Sequence, residues 1–323
     1  MIALVGCFLF AAGCTKETET FNSEKVEAPE IETPVAGQRC ASQEVLAAQL
    51  EADPALAARM QTIERITDEF IKHPTDRFLS GGDVVIPVVV NVLYKTAAEN
   101  ISQAQIQSQI DVLNADFAAT NSDYNSTPAY FQGVRSGNTH VRFILDQVIR
   151  KSTSKKSWST NDAMKKTAQG GLNPTSPTTK LNLWVCNMGG GILGYAQFPG
   201  GSSTTDGVVI DNNAMGNTGT AAAPYGMGRT ATHEVGHWLN LRHIWGDATC
   251  GNDFVSDTPL HQTSNGGCPA FPRYGSCSST VPMMTMNYMD YTYDACMYMF
   301  STGQSTRMNA TFAPGGGRTT FAQ

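Results

Sequence analysis

From Val84 the chain reads VVIPVVVNVLYK, an apolar run broken before its end only by Asn91, which predicts a buried strand. Ser102 then caps a helix running to about Ala119, with Ile106, Ile110, Leu113 and Phe117 at three- and four-residue spacing along its inner face. Further strands are predicted over 141–149, 181–186 and around 208–210, followed by a helix over 229–241. Two helices precede this block. Ser42 is placed to cap the first, which runs to Leu50; Asp53 as N-cap and Pro54 at the first helical position open the second. Met60, Ile63, Ile66 and Phe70 share one face of that second helix, and His73-Pro74 ends it. After residue 252 the periodicity fades into Gly, Pro, Ser and Cys up to residue 284, and a short helix over 302–312 closes the chain. The pattern is α+β: a mixed half with helices against a sheet, then an irregular half.

The termini change the reading of the cysteines. Residues 1–14, MIALVGCFLFAAGC, are apolar but too short to span a bilayer, and read as an export signal. Ala12-Gly13-Cys14 is similar to a bacterial lipoprotein processing site that would lipidate Cys14, although Ala11 stands where Leu is usual; a plain cleaved signal is the alternative. Residues 15–38, rich in Thr, Glu and Pro, read as a tether, 39–80 as a separate helical segment and 81–323 as the main folded domain. The expected location is therefore outside the cell, secreted or on the outer surface of a bacterium. In that oxidising setting, four cysteines crowded into the last quarter (Cys250, Cys268, Cys277, Cys296) predict two disulfides. A net charge of -6 and the lack of a basic stripe argue against nucleic acid as a partner. The expected partner class is protein or peptide, with membrane contact only through a lipid on Cys14, and the chain is expected to be a monomer.

The candidate chemistry lies in HEVGHWLNLRH, residues 233–243. Histidines at i and i+4 share a helix face, so His233 and His237 can reach one zinc ion. His243 cannot join them from the same straight helix, so the chain must turn after Leu239. Three protein ligands leave a fourth position for water, which is the catalytic rather than the structural zinc arrangement. Glu234 is placed to take a proton from that water and pass it to the leaving amine.

The sequence resembles the pappalysin/cytophagalysin branch of the metzincins. The resemblance rests on HEVGHWLNLRHIWGD (233–247), CGNDFVSDTP (250–259), NYMDYTYDACM (287–297) and GGGILGYAQFP (189–199). It implies a metzincin-type zincin: a mixed twisted sheet with a backing helix and an active-site helix, then a disulfide-stapled C-terminal subdomain. It implies a zinc-dependent endopeptidase with Met289 as the structural Met-turn residue and Tyr291 as the group that stabilises the oxyanion. It also implies the pairs Cys250–Cys277 and Cys268–Cys296, and 193–198 as the edge strand on which an extended substrate lies. A basic residue is expected after the scissile bond, with Asp294 as a local candidate to meet it. Asn240 stands where most metzincins have Gly; Asn is the next-best residue for the left-handed turn required there.

Other readings stay open. Cys40, after Arg39 in the pro-segment, either plugs the fourth zinc position in a zymogen or pairs with Cys186. Asp247, Asp253 and Asp257 either bind calcium or act as caps and turn residues. A zinc-binding adhesin, or another zinc hydrolase such as a cell-wall amidase, would keep the same ligands. Retention of Glu234 and Tyr291 counts against a pure binder.

Overall fold

The computed structural model describes residues 39–73 and 82–321, besides Met1. The export segment with Cys14, the tether over 15–38 and residues 74–81 lie outside the described residues. Two helices come first, α1 (Ser42–Ala52) and α2 (Leu56–Lys72). Strand β1 (Val84–Tyr94), helix α3 (Gln103–Phe117) and strands β2 (Val141–Ser152), β3 (Leu181–Cys186), β4 (Gly194–Ala196) and β5 (Val208–Asp211) follow. Helix α4 (Arg229–Trp238) carries the histidine motif, and α5 (Thr302–Ala310) lies near the end.

The strands form one sheet in the order β2-β1-β3-β5-β4. All neighbours pair in parallel except β4, which runs antiparallel to β5 at one edge. Helices α3 and α4 cover one face, where Ile106, Ile110, Leu113 and Phe117 meet Val88, Val90 and Val92 of β1 and Val235 and Trp238 of α4. Trp158, Met164, Trp184 and Leu93 fill the other face, so the central strands are apolar on both sides as the run from Val84 predicts. Pro87 donates nothing to the ladder, and the register of β1 against β2 slips nearby, between Val88 and Val89. No helix among the described residues is long and apolar enough to cross a membrane.

The cap expected at Ser102 forms, its hydroxyl accepting from the Gln105 amide at 3.1 Å. Those at the two leading helices do not. Ser42 lies inside α1 rather than ahead of it, and its hydroxyl serves a residue 192 positions away. Asp53 accepts from the Ala55 amide in a local turn, so α2 starts only at Leu56. α4 stops at Trp238, three residues short of its expected end, because Asn240 takes the left-handed conformation at φ 71°. Beyond it, disulfides Cys250–Cys277 and Cys268–Cys296 hold the irregular half, with the pairing the resemblance implied. Cys40 and Cys186 are both free and buried, so no bond joins them.

Candidate active site

His233 and His237 face the same side of α4, and the turn at Asn240 brings His243 back beside them. Each ring is fixed through Nδ1: His233 to the Tyr288 carbonyl at 2.6 Å, His237 to the Leu241 carbonyl at 2.8 Å and His243 to Asp247 Oδ1 at 2.5 Å. Carbonyl and carboxylate oxygens only accept, so each Nδ1 carries the proton and each Nε2 presents a lone pair. His237 Nε2 lies 3.1 Å from both His233 Nε2 and His243 Nε2. Three lone pairs that close repel unless a cation sits among them. A tetrahedral zinc ion with about 2.0–2.1 Å bonds separates its ligands by about 3.3 Å, so the donor set fits zinc. Burial also holds His233 and His237 well below the ordinary imidazole range, in the neutral form that ligates. Cys40 Sγ joins the cluster, with all four ligand atoms within 4.8 Å of one another.

Met289 lies beneath this site. A side chain at Gly236 would place Cβ 2.6 Å from Met289 Sδ, so only glycine lets α4 sit on the turn. Trp245 stacks on the His243 ring, 4.2 Å between centroids and 8° from parallel, and the Tyr291 ring meets Trp245 edge-on. Neither contact has a signal in residue spacing.

Glu234 is fully buried. Its Oε2 accepts from the Ser42 hydroxyl at 2.8 Å and lies 3.4 Å from Cys40 Sγ, while Oε1 has no hydrogen-bond partner. Burial pushes its carboxyl up to about 8, against the opposing pull of Cys40 and Ser42. Gly194 on β4 backs it, and any side chain there would meet Glu234 Cγ at 3.0 Å.

Residues 39–42 run along the free edge of β4. The Leu193 amide donates to the Arg39 carbonyl at 2.8 Å, the Ala41 amide to the Gly194 carbonyl at 3.0 Å, and the Ala196 amide to the Ser42 hydroxyl at 2.8 Å. The pairing is parallel. The Tyr291 hydroxyl donates to the Cys40 carbonyl at 3.2 Å. Among Arg39, Cys40, Leu193, His233, Glu234 and Tyr291 about 20 Å³ of free space remains, roughly one water's worth.

Arg39 points into a side pocket. Its Nη1 donates to the Thr292 carbonyl at 2.5 Å and to the Tyr291 carbonyl, and its Nη2 lies 3.8 Å from Asp294 Oδ1. Asp294 is thus in the neighbourhood expected of it, but its Oδ2 accepts from the Met227 and Arg229 amides at 2.9 and 3.2 Å. Farther out, α2 reaches the turn between His237 and His243: Glu64 accepts twice from Arg307 Nη2, at 2.6 and 2.8 Å, and once from Asn240 Nδ2 at 3.3 Å. Arg307 is fully buried, and its Nε donates to the Asn240 carbonyl at 2.8 Å.

The acidic loop residues do not converge. Asp253 accepts from the Val255 amide and the Thr258 hydroxyl, Asp257 from the Ser301 hydroxyl and the Gly303 amide, and Asp247 orients His243. Asp253 and Asp257 fill turn and cap roles, and among the described residues the set of three histidines with Cys40 is the one cluster able to hold a metal. Calcium finds no support in this arrangement.

A family model described as pregnancy-associated plasma protein-A matches residues 180–313. An extracellular metalloprotease of Verticillium alfalfae is 31% identical over 249 residues, spanning 74% of this chain and 79% of its own. Extracellular metalloprotease 1 of Coccidioides posadasii is 33% identical over 246 residues, spanning 71% and 78%. Mature mirolysin of Tannerella forsythia, solved with a cleaved peptide, shares 46% identity at a TM-score of 0.72, covering 75% of this chain and 96% of that one. A promirolysin variant from the same organism shares 42% at a TM-score of 0.79, covering 88% and 97%. The chain belongs to the pappalysin family of metzincin metalloendopeptidases.

Proposed function

We propose that the chain is a secreted zinc endopeptidase, made latent by its own residues 39–73, that prefers Arg or Lys after the scissile bond. The observation that carries this is the convergence of three Nε2 lone pairs and the Cys40 sulfur within 4.8 Å, beside a buried glutamate.

His233, His237 and His243 would hold the metal, and a bound zinc would supply Lewis acidity for activating water and polarising the peptide carbonyl. Glu234 takes the proton from the attacking water and delivers it to the departing amine. Tyr291 donates a hydrogen bond to the developing oxyanion. Its bond to the Cys40 carbonyl supports this role, since that carbonyl lies on the cleft beside Glu234. The Leu193, Gly194 and Ala196 amides and the Gly194 carbonyl, now paired with residues 39–42, are the groups that would align a substrate strand.

Latency follows from occupancy and direction. The Cys40 thiol lies beside the three histidine nitrogens, where it would take the place of water on the metal, and Ser42 engages Glu234. Residues 39–41 run parallel to β4, whereas a substrate strand running antiparallel to it travels the opposite way through the cleft. The promirolysin match covers 13 percentage points more of this chain than the mature mirolysin match, which accords with a pro-segment ahead of Val84. Cleavage within 75–83, a polar stretch containing Arg77, would release it.

An antiparallel substrate leaves the metal at the Leu193 end of β4, where Arg39 enters its pocket. That supports a basic residue just after the scissile bond. Export accords with the relatives' names as extracellular metalloproteases, and a lipid on Cys14 is the proposed anchor. The test is a fluorogenic peptide library on the purified, activated protein, with and without a zinc chelator. Chelator-sensitive cleavage before Arg or Lys is expected; chelator-resistant turnover would refute the zinc mechanism, and a preference for bulky apolar residues there the specificity.

A further inference from the structure

The side pocket holds its guanidinium in an unexpected way. Arg39 Cζ lies 3.6 Å from the centre of the Tyr225 ring, which places the charged plane against the π-face. The Arg39 Nη1 donors reach main-chain carbonyls, of Tyr291 and Thr292, rather than a side chain. Asp294, the one carboxylate among the described residues in salt-bridge range of Arg39, stays 3.8 Å away with one oxygen committed to backbone amides and the other without a hydrogen bond. Tyr225 is itself held in place: the Tyr293 ring meets it edge-on at 5.5 Å, and the Asp294 amide donates to the neighbouring Pro224 carbonyl at 3.2 Å.

We infer that Tyr225 is the residue that makes this subsite select arginine over lysine in the substrate, with Asp294 acting at a distance as counter-charge. The inference rests on the reading of the pocket as the subsite after the scissile bond. A guanidinium is a flat, weakly hydrated cation that can lie on a ring while its edge donates to carbonyls. An ammonium is a compact, strongly hydrated charge with no flat face to lay on the ring, so it gives up more hydration than a guanidinium on entering between the ring and the carbonyls. Without a direct carboxylate contact, the pocket lacks the partner that would compensate a lysine.

The measurement is the ratio of kcat/KM for paired peptides that differ only in Arg or Lys after the scissile bond, taken on enzyme activated from the full chain. A ratio within one variant is insensitive to general damage. Wild type is expected to favour Arg by about tenfold, the scale of a desolvated cation–π contact. Tyr225→Phe keeps the ring and should keep the ratio; Tyr225→Ala and the bulkier Tyr225→Leu should bring it close to one. Wild type that cuts before Lys as well as before Arg overturns the inference even if neither variant folds, and so does an unchanged ratio in Tyr225→Ala or Tyr225→Leu. If wild type shows no basic preference at all, the subsite reading itself fails, which is a different outcome from a basic preference blind to Arg against Lys.

Discussion

The Ser42 hydroxyl donates to Glu234 Oε2 at 2.8 Å and accepts the Ala196 amide at 2.8 Å, joining the candidate base to the substrate-aligning strand through one atom of the pro-segment. In the proposed zymogen, latency therefore has a second hold besides Cys40. Ser42→Ala should speed self-activation severalfold, since a hydrogen bond within the protein contributes about 0.5–1.5 kcal/mol net. Time courses of zymogen conversion on gels measure this, and a rate equal to wild type would remove Ser42 from the lock.

Glu234→Ala should bind close to one equivalent of zinc yet lose at least about a hundredfold in turnover, the scale of general-base contributions. Metal analysis and peptide hydrolysis on the same sample separate the two. Near-normal turnover would end the assignment.

Both free thiols are buried, but for different reasons: Cys186 sits at the end of a core strand, while Cys40 lies against the histidines. In the unreduced zymogen, Cys40 should label only after chelation and Cys186 only on unfolding. If neither labels after both treatments, a Cys40–Cys186 bond has formed. Cys40→Ala should also accelerate conversion, as water regains the fourth position.

Gly236→Ala drives a methyl group to within 2.6 Å of Met289 Sδ, so α4 or the turn beneath it must shift. A loss of about 1–3 kcal/mol is expected. Met289→Ala in the same protein should restore part of it, and thermal melts of the single and double variants report the coupling.

Asp116 lies behind α4 against Arg229, Asp123, Thr232 and Tyr288, and burial raises it to about 6 from 3.8. A carboxyl whose folded pKa is raised adds stability in full below its unfolded value, and this is lost as pH rises through the folded one. The contribution should therefore disappear between about pH 4 and 6. Asp116→Asn cannot titrate, so its Tm relative to wild type should rise from pH 4 to pH 7, measured on the Glu234→Ala background to prevent self-cleavage. A gap independent of pH would show that Asp116 does not titrate in that window.

The strands and α3 were legible because their apolar positions follow the period of the element, and the convergence of His233, His237 and His243 because three histidines at that spacing can meet once the helix turns. The two disulfide pairs came through resemblance alone. Ser42 was misread as a helix cap because a serine ahead of an apolar run looks the same whether its hydroxyl faces its own helix or a glutamate 192 positions away. Tyr225 and Trp245 carried no signal, since stacking depends on where loops close. Asp253 and Asp257 looked like ion ligands because caps and calcium loops draw on the same residue types.

The Glu64–Arg307 pair gives maturation a direction. Arg307 is fully buried, and the carboxylate that accepts from it belongs to the segment proposed to depart. Once α2 diffuses away, that guanidinium keeps the Asn240 carbonyl but loses this anion, on the very turn that delivers His243. The pro-segment then resembles the falsework under an arch, needed while the turn is set and taken away afterwards. The mature enzyme is expected to persist through slow unfolding more than through a favourable equilibrium, and to refold poorly unless residues 39–73 are supplied again.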